Sequence, residues 1–170
     1  MFSSINLEDR RKGGDLVERM VREIYKKISG LVLVVLGFRG ERLRFPEGIR
    51  IINVGFVGED RFLSVCYNAS DVFLSLSRAD NLPNTLVEAS ACGTSVVTLN
   101  SGGCKEIVEN GYNGYVVDDL DDFIKATCRV LNDSKLRERF GLNGRELAVK
   151  NFSMEAQVSA YLKLVDAFLL

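Results

Sequence analysis

The stretch Ser77 to Gly103 reads SRADNLPNTLVEASACGTSVVTLNSGG, and it decides the fold. LPNT opens a helix over 85–92, and Gly93 closes it. An apolar strand follows over 95–99, and then the pair Gly102-Gly103. Upstream, residues 72–76 form another apolar strand. Strand, helix and strand in this order form a parallel unit. Asp80 and Glu88 lie eight positions apart, one acid on either side of the helix start. A helix N-terminus presented to an anion, with acids beside it to hold hydroxyls, suits a ligand carrying a diphosphate and polyols. A nucleotide sugar has both.

Working outward, the same alternation covers the chain. Leu16, Val17, Met20, Val21, Ile24, Tyr25 and Ile28 recur at helical spacing up to Gly30. Residues 31–37 form a continuous apolar strand of the kind buried on both faces. Further strands are expected over 50–57 and 114–117, with a weakly apolar first strand over 2–6. Helices are expected over 61–68, 105–109, 121–131, 134–150 and 154–169. In the last, Val158, Tyr161, Leu162, Val165 and Phe168 make an apolar stripe. The expectation is an α/β, Rossmann-like, doubly wound and mostly parallel six-stranded sheet with helices on both faces, in a single domain over 1–170. Such sheets bind ligands at the carboxyl ends of their strands. That gathers residues 8–14, 55–58, 77–84 and 100–103 at one edge.

Bulk composition narrows the function classes. A formal net charge of −1 gives no electrostatic case for nucleic acid. No apolar run approaches the roughly 20 residues of a membrane helix. The start, MFSSINLEDRR, shows no signal peptide. Cys66, Cys92, Cys104 and Cys128 have no metal spacing and read as free thiols of a reducing cytoplasm. The absence of histidine removes the usual general base and any Ser-His-Asp triad.

At the sheet edge each feature has two readings. Arg10, Arg11 and Lys12 before Gly13-Gly14 are a diphosphate contact or a solvated basic turn. Asn81 or Asn84 caps the helix holding Glu88, and Pro83 suits its first turn. Thr85 and Glu88 also have capping-box spacing, so Glu88 faces a ligand or completes its own helix end. Gly102 and Gly103 admit a ligand or make a tight turn. The acidic run Asp118, Asp119, Asp121, Asp122 is read as helix capping, with no metal expected. GxGxxG and GxxxxGK[ST] are both missing, against dinucleotide oxidoreductases and P-loop proteins.

RKGGDLV (11–17), LVLVVLGF (31–38), NVGFVGEDRFLSVCYNASDVFLSLS (53–77), DNLPNTLVEASACGTSVV (80–97) and SGGCKEIVENGYNGYVVDD (101–119) resemble, in order and spacing, segments of glycosyltransferase family four. These are retaining enzymes of GT-B fold, and the likeness is to their carboxyl-terminal, donor-binding domain. The resemblance implies that Glu88 holds the ribose hydroxyls. Asp80, one methylene shorter than the family's glutamate, would contact the donor sugar, and Lys12 the diphosphate. The family's partner arginine would fall near Asn6 and Leu7, so it is missing or replaced by Arg10 or Arg11. The 82–85 backbone (Leu82, Pro83, Asn84, Thr85) would meet phosphates, and Gly55, Phe56 and Val57 would border the base; Arg11, Gly13, Asn81, Gly102 and Gly103 are the further substrate-binding candidates.

The resulting expectation is the donor-binding half of a cytoplasmic, cofactor-free, metal-independent glycosyltransferase of the hexosyl type. It would serve polysaccharide or glycolipid synthesis and be inactive as the isolated domain. Its partners would be the nucleotide-sugar donor and an amino-terminal acceptor domain absent from this chain, with peripheral membrane contact in the full enzyme and no nucleic acid. Lys12, Asp80 and Glu88 are the catalytic candidates. The alternatives are a non-catalytic nucleotide-binding or partner-docking module, and half of a sugar-nucleotide epimerase.

Overall fold

A computed structural model of the chain describes residues 1–3, 9–37, 45 and 47–169. Six strands are present: β1 (Phe2–Ser3), β2 (Val32–Leu36), β3 (Arg50–Gly55), β4 (Val72–Ser75), β5 (Ser95–Leu99) and β6 (Gly114–Val117). They form one sheet in the order β3-β2-β1-β4-β5-β6, with every pairing parallel. This is the doubly wound order, which reverses direction between β1 and β4. The rest of the expected first strand, residues 4–6, lies outside the described residues, as do Glu8 and Phe38.

The helices are α1 (Gly14–Tyr25), α2 (Asp60–Asn68), α3 (Asn84–Ala91), α4 (Cys104–Ile107), α5 (Leu120–Asn132), α6 (Ser134–Phe152) and α7 (Met154–Leu169). Alternation along the strands splits the core in two. Leu74 and Val97 join Val17, Met20, Ile24, Phe123 and Ile124 from α1 and α5. Their neighbours Phe73 and Val96 join Tyr67, Leu86, Ala89 and Ile107 from α2, α3 and α4. Helices therefore cover both faces.

α7 forms over its expected range with its apolar stripe uncovered. Val158, Tyr161, Leu162, Val165 and Phe168 are all exposed. The stripe has the helical period, but nothing among the described residues lies over it.

Candidate functional site

Because the strands are parallel, the segments after β1, β3, β4 and β5 leave the sheet at one edge. After β1 the chain makes a single 3-10 turn, Arg10–Lys12. Asp9 caps it, its carboxylate accepting from the Arg11 N–H at 2.9 Å. Gly13 ends the turn with φ 72°. A side chain at Gly13 would collide with the Leu76 carbonyl at the end of β4. The glycine thus lets this loop lie directly on the neighbouring strand.

Arg78, which the sequence did not single out, ties the two loops together. Its N–H donates to the Arg11 carbonyl at 2.8 Å. Its guanidinium donates to the Arg10 carbonyl at 2.6 Å and to both carboxylate oxygens of Asp15 at 2.6 and 2.9 Å. Those bonds hold the Asp15 carboxyl below its ordinary value and raise the Arg78 guanidinium. Arg11 is exposed, and its guanidinium donates to Asp9 at 3.3 Å and to the Ala79 carbonyl at 3.4 Å.

Lys12 reaches across this junction and forms an ion pair with Asp80. The Asp80 side chain is the more enclosed partner, 18% exposed against 36% for Lys12. The loop after β5 supports it from below. Gly103 donates its N–H to the Asp80 carbonyl at 3.2 Å. A side chain at Gly102 would strike that same carbonyl, and one at Gly103 would strike the Asn81 carbonyl. Among the described residues, the close approach these glycines permit is to the loop carrying Asp80.

α3 begins next to this loop. Its N-cap is Pro83, with no side-chain capping bond. This corrects the expected cap at Asn81 or Asn84: Asn84 is already the first helical residue, and Asn81 precedes Pro83 on the loop. Pro83 is the cap itself instead of a first-turn residue. The Leu86 N–H closes on the Pro83 carbonyl at 2.9 Å. The N–H groups of Asn84 and Thr85 have no hydrogen-bond partner among the described residues. They are the orphan donors a helix N-terminus offers an anion. Asn81, Leu82 and Asn84 are exposed around them, Pro83 is buried, and Thr85 is half-buried.

Glu88 lies about one turn into α3 and is half-buried. Its Oε2 accepts from the Tyr67 hydroxyl at 2.8 Å. The capping-box alternative therefore does not describe this helix: the cap is not Thr85, and the Glu88 carboxylate serves a side chain of α2. Burial, and then the charge of Glu88, push the Tyr67 hydroxyl well above its ordinary range. Nothing local in the sequence marked Tyr67, because its partner is 21 positions away.

The segment after β3 completes the edge. Gly55 has φ 71° and closes β3, its carbonyl accepting from the Gly37 N–H at 2.6 Å. Phe56 is exposed, and Val57 packs against the core that holds Tyr67. In the acidic run, Asp119 caps α5 by accepting from the Asp122 N–H at 2.8 Å. Asp121 pairs with Arg19 and Asp122 with Lys125, each at 2.8 Å, and Asp118 accepts from Asn100 at 2.6 Å. The geometry unites Lys12, Arg11, Gly13, Asp80, Asn81, Gly102 and Gly103 into one cross-tied junction at the mouth of α3. Glu88 sits deeper on the same helix. Chemically, the junction offers a cation and free N–H donors to an anion, and carboxylate oxygens to hydroxyls.

A family model described as "Glycosyl transferases group 1" matches residues 2–133. The lipopolysaccharide core biosynthesis glycosyltransferase LpsE of Rhizobium meliloti (strain 1021) is 38% identical over 153 residues, covering 84% of this chain and 44% of that protein. Among solved structures, sucrose-phosphate synthase from Thermosynechococcus elongatus is similar with TM-score 0.76 and 26% identity, over 98% of this chain and 45% of that one. Anabaena Alr3699/HepE in complex with UDP shares the fold with TM-score 0.75 at 16% identity, over 98% of this chain and 48% of that one. The chain spans less than half the length of these proteins.

Proposed function

The chain belongs to the group 1 glycosyl transferases, and on that premise we propose that it is the donor-binding half of a retaining, metal-independent transferase using a nucleoside-diphosphate sugar. The carrying observation is the Lys12–Asp80 pair at the uncapped start of α3. It puts a cation, free N–H donors and a carboxylate at one mouth of a doubly wound sheet, where such folds take their ligands. Arg11, Gly13, Gly55, Phe56, Val57, Asn81 to Thr85, Gly102 and Gly103 form the surrounding donor-binding wall.

In this reading Lys12 and the α3 N-terminus stabilise the charge that builds on the departing diphosphate. Asp80 holds donor-sugar hydroxyls and Glu88 the ribose, a positioning role. The acceptor side comes from an amino-terminal domain of the full enzyme, a reading supported by the chain's 44% share of LpsE's length. LpsE's name supports a polysaccharide or glycolipid product, and a lipid-linked acceptor would bring the full enzyme to a membrane surface. The four free thiols support a cytoplasmic setting. Among the described residues, no helix is long and apolar enough to cross a membrane.

A thermal-shift panel of nucleoside diphosphates and their sugars tests the reading. UDP or GDP at about 100 times its dissociation constant adds roughly 2.7 kcal/mol to stability. The absence of a shift with every nucleoside diphosphate at millimolar concentration would overturn it.

A further inference from the structure

Tyr67 is among the most deeply buried side chains of the chain, 1% exposed, yet its hydroxyl ends on a carboxylate of the proposed site. Two side-chain contacts and one backbone contact fix the residue. It packs edge-on against Phe73 at 5.5 Å between centroids. The Tyr67 carbonyl accepts from the Thr94 hydroxyl at 2.8 Å, which anchors the last turn of α2 to the segment before β5. The phenol oxygen lies 2.8 Å from Oε2 of Glu88. Among the described residues this is the one hydrogen bond made by the Glu88 side chain, so Oε1 keeps its full acceptor capacity.

We infer that Tyr67 is a positioning residue for ribose recognition: its buried hydroxyl pins Oε2 of Glu88 and so aims Oε1 at the ribose hydroxyls of the donor. The inference rests on the donor-binding reading given above. The terminal torsion of a glutamate is broad and nearly two-fold, so an unpinned carboxylate presents either oxygen at many angles. A donor fixed by packing removes that freedom before the ligand arrives, and preorganisation lowers the ordering cost of binding. A buried phenol left without an acceptor would carry a desolvation penalty, so the pair is fixed from both sides. The upward shift of the Tyr67 hydroxyl keeps it a donor across the working pH range.

The test uses the chain with UDP and 2′-deoxy-UDP as probes, comparing wild type with Tyr67→Phe. The substitution keeps the ring against Phe73 and removes the hydroxyl alone. The wild type should prefer UDP. Tyr67→Phe should lose roughly tenfold in UDP affinity, the scale of one charge-assisted hydrogen bond, with 2′-deoxy-UDP nearly unchanged. A purely structural tie between α2 and α3 would lower the melting temperature and leave the preference intact, and that result overturns the inference while the donor-binding reading stands. A wild type that binds UDP without preferring ribose also overturns it. Binding of no nucleoside diphosphate removes both. Should Tyr67→Phe fail to fold, the hydroxyl proton resonance of wild-type Tyr67 decides: a shift with UDP but not with inorganic pyrophosphate supports the inference, and no shift with UDP overturns it.

Discussion

Lys12 and Asp80, 68 positions apart in the chain, meet as an ion pair across the gap between the loops after β1 and β4. The two side-chain charges neutralise each other. On the proposed reading, a diphosphate at the start of α3 would compete with Asp80 for the same ammonium, and a contact with Lys12 would free the carboxylate for hydroxyls. The two residues are thus coupled, and removing one changes the other.

Lys12→Ala is expected to weaken nucleoside diphosphates by roughly 1.5 to 3 kcal/mol while hardly changing affinity for the bare nucleoside. It also leaves Asp80 unpaired beside the phosphate path. The double variant Lys12→Ala/Asp80→Asn should therefore bind UDP better than Lys12→Ala alone. Calorimetric titration of both variants with UDP and uridine checks this. Equal losses for UDP and uridine would remove Lys12 from the phosphate site.

Glu88→Ala should weaken nucleoside and nucleoside diphosphate alike, because both carry the ribose. It should also reduce discrimination between ribose and 2′-deoxyribose ligands. The melting temperature without ligand is a second readout, because the variant strands the buried Tyr67 hydroxyl, at a cost of about 1 to 3 kcal/mol. Unchanged ribose selectivity would detach Glu88 from the ribose.

The periodicity of the chain carried most of the fold. Alternating apolar runs and helical stripes place β5, β6 and α7 at their observed bounds, and the other elements within a few residues where they are described. What the sequence could not show depends on long-range contact. Pro83 becomes the cap of α3 because of how the chain leaves β4, along a path on which the Asp80 and Asn81 carbonyls lie directly against Gly102 and Gly103. Local signals there offered two asparagines and pointed elsewhere. Gly13 was legible as special, but its packing partner, the end of β4, was not. Tyr67 reaches Glu88 only once α2 and α3 are packed together. The stripe on α7 was legible as apolar, yet periodicity alone cannot say what covers it.

Chelation should leave binding unchanged. The carboxylates of the acidic run are engaged in capping α5, in ion pairs with Arg19 and Lys125, and with Asn100. On the proposed reading, Lys12 and the start of α3 neutralise the diphosphate instead. UDP affinity measured with and without EDTA is expected to agree. Loss of binding in EDTA, restored by magnesium or manganese, would return the run to consideration as a cation site.

The pair Asp15–Arg78 predicts a defined acid limb in stability. Hydrogen bonds from Arg78 are the main reason the Asp15 carboxyl sits below its ordinary value of 3.8. A carboxyl depressed in the folded state contributes stability above its unfolded value and loses it as pH falls through the folded one. Both side chains are more than a third exposed, so solvent screening limits the contribution to about 1 kcal/mol or less. For a chain of this size that is roughly 2 to 4 °C in melting temperature. Wild type should therefore melt above Asp15→Asn by a constant margin over the range where the unfolded carboxyl is ionised. The margin should shrink once pH falls below 3.8 and vanish under the folded value. Arg78→Gln should show the same window, because it removes the other half of the pair, and high salt should narrow the margin in both. Melting curves across pH at two ionic strengths measure this directly. A margin that persists undiminished well below the window would mean that Asp15 stabilises α1 by some route other than its charge.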